Sequence, residues 1–545
     1  MNRVRVYVIW FLCYILYAVS LQAQVFDWVR GIGGYSGNGI AVDARGNSYV
    51  TGTYYAKMKL GQFELISAGG MDIFVAKFDA AGNLLWAQHG GGNGDEYSGG
   101  IAVDAMGNCY VTGYCLSNAT FGSKSISGFG SYDVFLAKYD TNGECQWLLD
   151  AGGPSDDWGE AVAVNANGDI FLTGNFQGTA VFGNHQISTN GDRDVFVARY
   201  DSLGNCLWVN HGGGVGIEEC RGISTDKYGN SYITGYFSDS AQFGTYTLTS
   251  IAPREIFIAK YNGMGNCVWA KQAQGISYNM ANAISTDGDG MSTITGYHLA
   301  PTIFDQVVIP SNGGFIARYD QDGACQWALN IGTNGTVGNG VAVDGQGNSY
   351  VTGKFRGDVD FGNQTIGASI AGSYDAFIAK YNLKGSCVWI KSAGGSASDE
   401  SKAITMDTKG SFWMTGKVDA NADFGPIQLS TPGVFVTKLN EGVTERAMTP
   451  LSIPAECRLM QNFPNPFNPS TTIHFSLRQT GAVSIKLYDV AGKETAVILD
   501  TEMPMGSYAI SFDGSHLSSG VYYYRMVAFQ GSEVYTESKM MVLMK

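Results

Sequence analysis

Four pairs of adjacent acids, Asp95 with Glu96, Asp156 with Asp157, Glu218 with Glu219 and Asp399 with Glu400, are the residues of this 545-residue chain whose type and spacing could do chemistry. Two carboxyl groups held about 5 to 10 Å apart can act as acid and base, and a ring of them can hold a cation or a basic or hydroxyl-rich ligand. Tyr97 and Trp158 follow two of the pairs and offer flat apolar faces suited to stacking on sugar rings. Asp95, Glu96, Tyr97, Asp156, Asp157, Trp158, Glu218, Glu219, Asp399 and Glu400 therefore form a candidate ligand-binding rim. The ordinary competing reading is that these are solvated acids of an acidic protein. No catalytic residue and no metal ligand is assigned. A divalent cation on the rim or in a central channel is the one cofactor the pattern would accept.

Other reaction chemistries leave no trace. The chain has no G-x-S-x-G, no H-E-x-x-H and no G-x-x-x-x-G-K-[ST]. Its six histidines, at 89, 185, 211, 298, 474 and 516, include no pair at metal-ligand spacing. His89 and His211 occupy the same place before a G-G-G run, which reads as a recurring structural role.

The elements that must position the acids are repeats. Trp28, Trp86, Trp147, Trp208, Trp269, Trp327 and Trp389 follow one another at 58, 61, 61, 61, 58 and 62 residues, which marks seven units of about 60 residues. Each unit holds four short apolar segments divided by turn chemistry, as in G-I-A-V-D (100–104), C-Y-V-T-G (109–113), D-V-F-L-A-K-Y-D (133–140) and C-Q-W-L-L (145–149). Asp104, Asp140, Asp201, Asp226, Asp344 and Asp407 each precede a glycine by three residues, a hairpin-turn signal rather than the longer calcium loop with its spaced carboxylates. The seventh unit stops after three segments, and V-F-D-W-V-R (25–30) is a lone fourth segment at the other end. Pairing the two leaves no open edge, so the expected architecture is all-β, a seven-bladed β-propeller over 24–440 closed by its N-terminal strand. The loops after the second and fourth strands then share one face. The long second-to-third excursions, which often contain F-G, are expected to form small extra hairpins.

The segments G-I-A-V-D, G-N-x-Y-V-T-G and D-x-F-[VIL]-A-K-Y-D resemble the β-propeller repeats called SBBP repeats. The fifth unit departs most, with Ile303 to Ile309 in place of an F-G turn and no aspartate before Phe315. Past residue 440 the register is lost. Residues 441–455 read as a polar linker, and 456–545 as a small immunoglobulin-like β-sandwich in which Ile473, Phe475 and Leu477 share a face, as do Val483, Ile485 and Leu487. The stretches Q-N-F-P-N-P-F-N-P-S-T-T-I (461–473), I-K-L-Y-D-V-A-G-K (485–493), L-S-S-G-V-Y-Y-Y-R (517–525) and K-M-M-V-L-M-K (539–545) resemble the type A C-terminal sorting domain of the type IX secretion system. That resemblance implies recognition by the outer-membrane secretion apparatus as a partner, and delivery to the cell surface or beyond.

Composition agrees with export. Residues 1–23 combine Arg3 and Arg5, an apolar run from Val6 to Val19 and Ala23 before Gln24, the pattern of a secretory signal peptide. No other stretch is long and apolar enough for a transmembrane helix. A formal net charge of -14 repels nucleic acid and anionic headgroups. Cys145, Cys206, Cys267, Cys325 and Cys387 recur two residues before a tryptophan, in different blades, and are expected to be small hydrophobes rather than a disulfide framework. The reading that follows is an exported, non-enzymatic binding or adhesion scaffold that engages an unidentified glycan or protein through the loop-rich face. Its alternatives are a secreted propeller hydrolase or lyase acting on polysaccharide and a structural envelope or matrix component.

Overall fold

The computed structural model describes residues 25–545 apart from 441–456 and breaks at 300, 333–334, 363, 371, 408–409, 420, 463–464, 504–505, 516 and 531–532. The signal-peptide and linker readings lie outside the described residues. The chain divides into two compact units, Met1–Gly442 and Val443–Lys545. Among the described residues every regular element is a strand.

The first unit contains seven sheets built on four antiparallel strands each. The second sheet is typical, with strands Glu96–Val103, Cys109–Leu116, Tyr132–Tyr139 and Cys145–Ala151 in that order. The seventh takes three strands from Glu400–Met406, Ser411–Val418 and Gly433–Asn440 and its fourth from Val25–Gly33. In that pairing Val25 lies opposite Asn440 and Gly31 opposite Phe435, and the Thr437 hydroxyl donates to the Trp28 carbonyl at 2.7 Å. Innermost strands pack against one another in sheet order, and that of the seventh sheet packs against that of the first.

Sheet-to-sheet contacts repeat at the level of atoms. In each V-T-G-type segment a buried threonine hydroxyl donates to the carbonyl of the phenylalanine on the third strand, as in Thr112 to Phe135 at 2.8 Å and Thr415 to Phe435 at 2.8 Å. That threonine also abuts the next sheet: a Cβ on Gly159 would lie 2.4 Å from the Thr112 hydroxyl, and one on Gly37 would lie 2.2 Å from that of Thr415. The contact between the seventh and first sheets therefore uses the same residue types as the one between the second and third.

The tight-turn side explains the repeated tryptophan. The indole N–H donates to a carbonyl in the third-to-fourth turn of the following sheet: Trp86 to Thr141 at 3.1 Å, Trp147 to Ser202 at 3.4 Å, Trp208 to Gly263 at 3.1 Å, Trp269 to Gln321 at 3.0 Å and Trp327 to Leu383 at 2.9 Å. Trp28 of the seventh sheet does so to Ala80 of the first, at 3.1 Å. The basic residue of A-K-Y-D or A-R-Y-D donates to the same carbonyl, from Lys77, Lys138, Arg199 and Lys260. The turn glycine lies against the indole. A Cβ on Gly143 would sit 2.8 Å from Trp86, and its φ of +86° already disfavours any other residue.

The D-x-x-G-N-x-Y pattern is likewise satisfied within the turn. Asp104 accepts from the amides of Met106 and Asn108, the Asn108 side chain and the Tyr110 hydroxyl, at 2.7 to 3.1 Å. Its oxygens are engaged in closing a hairpin. The nine cysteines beyond residue 24 are free thiols. Cys145, Cys206 and Cys267 direct Sγ at the carbonyl of the tryptophan two residues on, at 3.5 Å.

The excursions do form hairpins. In the second sheet Ala119–Phe121 pairs with Lys124–Ile126, and the first of these strands adds to the outer edge of the preceding sheet, Phe121 opposite Gly90. The fifth unit keeps this device despite its lost F-G, with Thr302–Phe304 paired to Val307–Ile309 and added to the fourth sheet. The outer edges of the first, third and fourth sheets are covered in this way rather than left open.

The second unit holds a three-stranded sheet, with Ser470–Leu477 between Arg458–Leu459 and Gly506–Asp513, and a four-stranded sheet ordered Glu494–Met503, Gly481–Tyr488, Gly520–Gln530 and Glu533–Leu543. Ile473, Phe475, Leu477, Val483, Ile485 and Leu487 are all buried in one core with Phe467, Tyr524 and Met541. The N-P-F segment seats on the terminal strand: the Val542 amide donates to Asn465 Oδ1 at 2.8 Å, and Phe467 exchanges backbone hydrogen bonds with Val542 and Met544.

Candidate functional site

The face carrying the long loops is organised by buried acids. Where the fourth strand of one sheet runs into the first of the next, a G-G pair is followed four residues later by a carboxylate that turns back onto the second glycine. Glu96 accepts from the Gly92 amide at 2.8 Å, Asp157 from Gly153 at 2.7 Å, Glu218 from Gly214 at 2.8 Å and Asp399 from Gly395 at 2.8 Å. The second oxygen of Asp157 and of Asp399 takes the amide that opens the next long excursion, from Gln177 and Asp419. A second acid, the aspartate of D-x-F, clips the far end of that excursion: Asp72 accepts from Ala68, Asp133 from Phe129 and Gly130, Asp194 from Asn190 and Asp375 from Ser369.

The first glycine of each pair is small because the second acid lies against it. A Cβ on Gly152 would fall 2.3 Å from Asp133 Oδ1 and 2.7 Å from Asp157 Oδ2. Both carboxylates thus meet across one glycine. All eight of these acids are at most 1% exposed. Burial pushes the carboxyl of Glu96 up to about 7, Asp157 and Glu218 to about 8, and Asp133 and Asp399 to about 6, with the neighbouring acid adding to the shift. His211 Nδ1 lies 3.0 Å from Asp194 Oδ2, and His89 holds the same place beside Asp72 at 3.6 Å, which is the structural role expected of both. The fifth sheet is built differently. Asn279 and Thr336 stand at the clip positions, and buried His298 fills the space beside Phe315, held by Thr302 and Asn330.

These placements revise the acidic rim. Glu96, Asp157, Glu218 and Asp399 are neither solvated nor available to a ligand, because each is folded under its loop to satisfy backbone amides. Asp95 and Asp156 turn to the amides of Met71 and Tyr132 at the start of the third strand. A carboxylate beside a glycine-rich loop finds unpaired amides closer than solvent. Among the described residues no group of three or more His, Cys, Asp or Glu is placed to hold a metal ion.

Tyr97, Trp158, Glu219 and Glu400 fare otherwise. One residue past the clips, they occupy equivalent register positions at the mouth of the ring, opposite Tyr114, Asn175, Tyr236 and Lys417. Ser36, Met280 and Val337 complete this set, opposite Thr53, Tyr297 and Lys354. Rings and cations stack around the mouth. Tyr97, Tyr114 and Tyr132 pack with centroids 5.1 to 6.4 Å apart. The Arg193 guanidinium lies 4.0 Å over Trp158 and pairs with Glu219 at 2.7 Å, and Arg221 also reaches Glu219, at 2.8 Å. Arg254 lies 4.4 Å over Tyr236 and 5.7 Å from Tyr278. Lys354 pairs with Glu400 at 2.7 Å and lies 5.1 Å over Tyr374, while Lys417 lies 5.1 Å over Tyr35.

Sequence reasoning found the acids of this face and missed its basic and aromatic members, Arg193, Arg254, Arg356, Tyr278 and Tyr374. The signal was available in the residue just before the third strand, which is Arg193, Arg254 or Tyr374 in different units. An open depression of about 700 Å³ bounded by Asp27, Trp28, Arg30, Ala80, Ala81 and Ile427 lies elsewhere, where the seventh sheet meets the turn of the first.

Residues 461–542 match the secretion system C-terminal sorting domain. Residues 326–354 match the β-propeller repeat. The sorting domain marks the chain for export by type IX secretion, to the cell surface or the exterior. The chain is 23% identical over 438 residues to an uncharacterized WD repeat-containing protein of Acanthamoeba polyphaga mimivirus, covering 63% of this chain and 31% of that protein. It is 22% identical over 383 residues to the regulatory protein FlaEY of Caulobacter vibrioides, covering 69% and 35%. It thus spans about a third of the length of each of these curated relatives. Among solved structures, a puromycin hydrolase mutant aligns at TM-score 0.39 and 10% identity, covering 82% of this chain and 59% of that one. PorZ, a surface component of the type IX secretion system of Porphyromonas gingivalis, aligns at TM-score 0.16 and 10% identity, covering 95% and 100%. Scores this low carry nothing about activity.

Proposed function

We propose that the chain is an exported binding scaffold: a closed seven-bladed β-propeller over residues 24–440 that presents its loop-face mouth to a ligand, followed by a linker and a β-sandwich, 456–545, that addresses it to the type IX apparatus. One observation carries the reading. Within a single chain, seven copies of the same unit keep their turn-face residues and change their mouth residues from copy to copy, through Ser36, Tyr97, Trp158, Glu219, Met280, Val337 and Glu400. A purely structural ring needs no such variation, and ring-and-cation stacks are a recognition surface. The hydrolytic alternative needs two solvent-reached carboxylates across a cleft, and the acids that approach each other here are buried beneath loops.

The test is a glycan array and a pull-down from cell-surface extract with the full chain, repeated with Trp158→Ala and Tyr97→Ala. Saturable binding that these variants weaken by tenfold or more supports the reading. Binding unchanged in both, or no saturable ligand, contradicts it.

A further inference from the structure

The mouth is not uniform in charge. Where the third sheet meets the fourth its cations are matched: Arg193 and Arg221 both reach Glu219. Lys354 is likewise paired with Glu400, but the two arginines on either side of the fifth sheet are not matched. Arg254 and Arg356 have no carboxylate within 4.0 Å among the described residues. The acids that underlie the loops elsewhere are replaced in the fifth sheet by Asn279 and Thr336. On a chain of net charge -14, two guanidinium groups without a carboxylate partner stand against the prevailing sign.

Both arginines also lie over tyrosine rings. The Arg254 guanidinium lies 4.4 Å over Tyr236 and 5.7 Å over Tyr278, and that of Arg356 lies 5.6 Å over Tyr374, which Lys354 faces as well. A guanidinium stacked by its face keeps its in-plane N–H donors free for a bidentate partner. Tyr278 is 51% exposed, with Ile276 beside it at 66%, so flat apolar surface lies next to the free donors. Tyr297, opposite Met280, is within electrostatic reach of both Tyr374 and Arg356 and bridges the two halves of the sector.

We infer that this sector binds an anionic polysaccharide, with the carboxylate or sulfate groups of the sugar units taken by Arg254 and Arg356 and the rings laid on Tyr278 and Tyr374. The inference rests on the proposed binding role and adds the class of ligand. A planar donor fork answers a carboxylate or sulfate, and an exposed tyrosine face answers a pyranose ring, whereas a neutral glycan leaves both arginines unused.

The experiment is a titration of the full chain with polygalacturonate, its fully methyl-esterified form, dextran sulfate, dextran and polyglutamate. Arg254→Ala, Arg356→Ala and Tyr278→Ala are run beside it, with Lys227→Ala on the opposite face as control. The expected result is binding to polygalacturonate or dextran sulfate that falls at least tenfold on esterification or on loss of the sulfate. Each arginine variant weakens it by about 10- to 100-fold, the span of a charge-assisted hydrogen bond. Tyr278→Ala weakens it at unchanged melting temperature, and Lys227→Ala leaves it alone. Equal binding of the esterified polymer or of dextran overturns the anionic inference while leaving a glycan-binding scaffold standing. Binding of polyglutamate without either charged polysaccharide overturns it in favour of an acidic protein partner. No binding of any of the five, together with an empty array and pull-down, removes both readings.

Discussion

The turn face and the loop face of the repeated sheets are made from the same strands by opposite rules. On the turn face the first four sheets use one solution: tryptophan and a basic residue converge on a carbonyl of the next sheet, over a glycine that makes room. On the loop face an acid clips a glycine amide one layer down at four of the junctions, while the residue just beyond takes six identities over the seven sheets, with glutamate alone used twice. The comparison teaches where freedom lies. Interactions that join neighbouring sheets cannot vary without loosening the sheets, and a layer resting on a satisfied base can.

The largest effect should come from breaking the turn face. Trp208→Ala removes a packed indole and its hydrogen bond to Gly263, and is expected to destabilise the first unit by about 3 to 5 kcal/mol. Calorimetric melting measures this, and a change under about 1 kcal/mol would mean that the indole is a bystander.

Breaking a clip should cost less. Asp157→Ala leaves the Gly153 and Gln177 amides without an acceptor and is expected to cost about 1 to 3 kcal/mol, with faster amide exchange confined to the loops on either side. Loss spread evenly over the unit would contradict a local latch.

Much of the turn face was legible in the sequence. The 61-residue tryptophan spacing and the D-x-x-G-N-x-Y turns announce it, because a residue that fastens neighbours must recur. The loop face was legible in its acids but not in what they do. An acid next to glycines looks the same on paper whether it faces water or folds back onto an amide, and only the closed loop decides. Arg254 and Tyr278 lie 24 residues apart in sequence and in different sheets, so no spacing rule could join them. Tyr97 and Trp158 were found because they follow the acids, not because the ring of equivalent positions was seen.

The pH dependence sharpens the contrast further. Glu96, Asp157 and Glu218 have folded-state values raised to about 7, 8 and 8, above those of the unfolded chain, so the stability they contribute is full below the unfolded carboxylate range and is lost as pH rises through those values. Groups facing them add like charge, with Asp72 and Asp95 beside Glu96, Asp133 and Asp156 beside Asp157, and Asp194 and Asp239 beside Glu218. Melting temperature should therefore fall between about pH 5 and 8.5, and Asp157→Asn should flatten part of the slope. A melting temperature that rises over this window would refute the raised carboxyl values under the loops.

The smallest effect on stability belongs to the mouth. Trp158→Ala and Tyr97→Ala should change folding by about 1 kcal/mol or less, since each is only partly buried and joins no two sheets, while altering binding.

All of this depends on Val25–Gly33 serving as the fourth strand of the seventh sheet. Hydrogen–deuterium exchange on the full chain tests it most directly. The paired amides of Val25–Gly33 should be protected to the same degree as those of Gly433–Asn440 and should open with them on denaturant titration. Exchange of Val25–Gly33 at the rate of an unstructured peptide, with Gly433–Asn440 still protected, would contradict the closed ring and the shared face together.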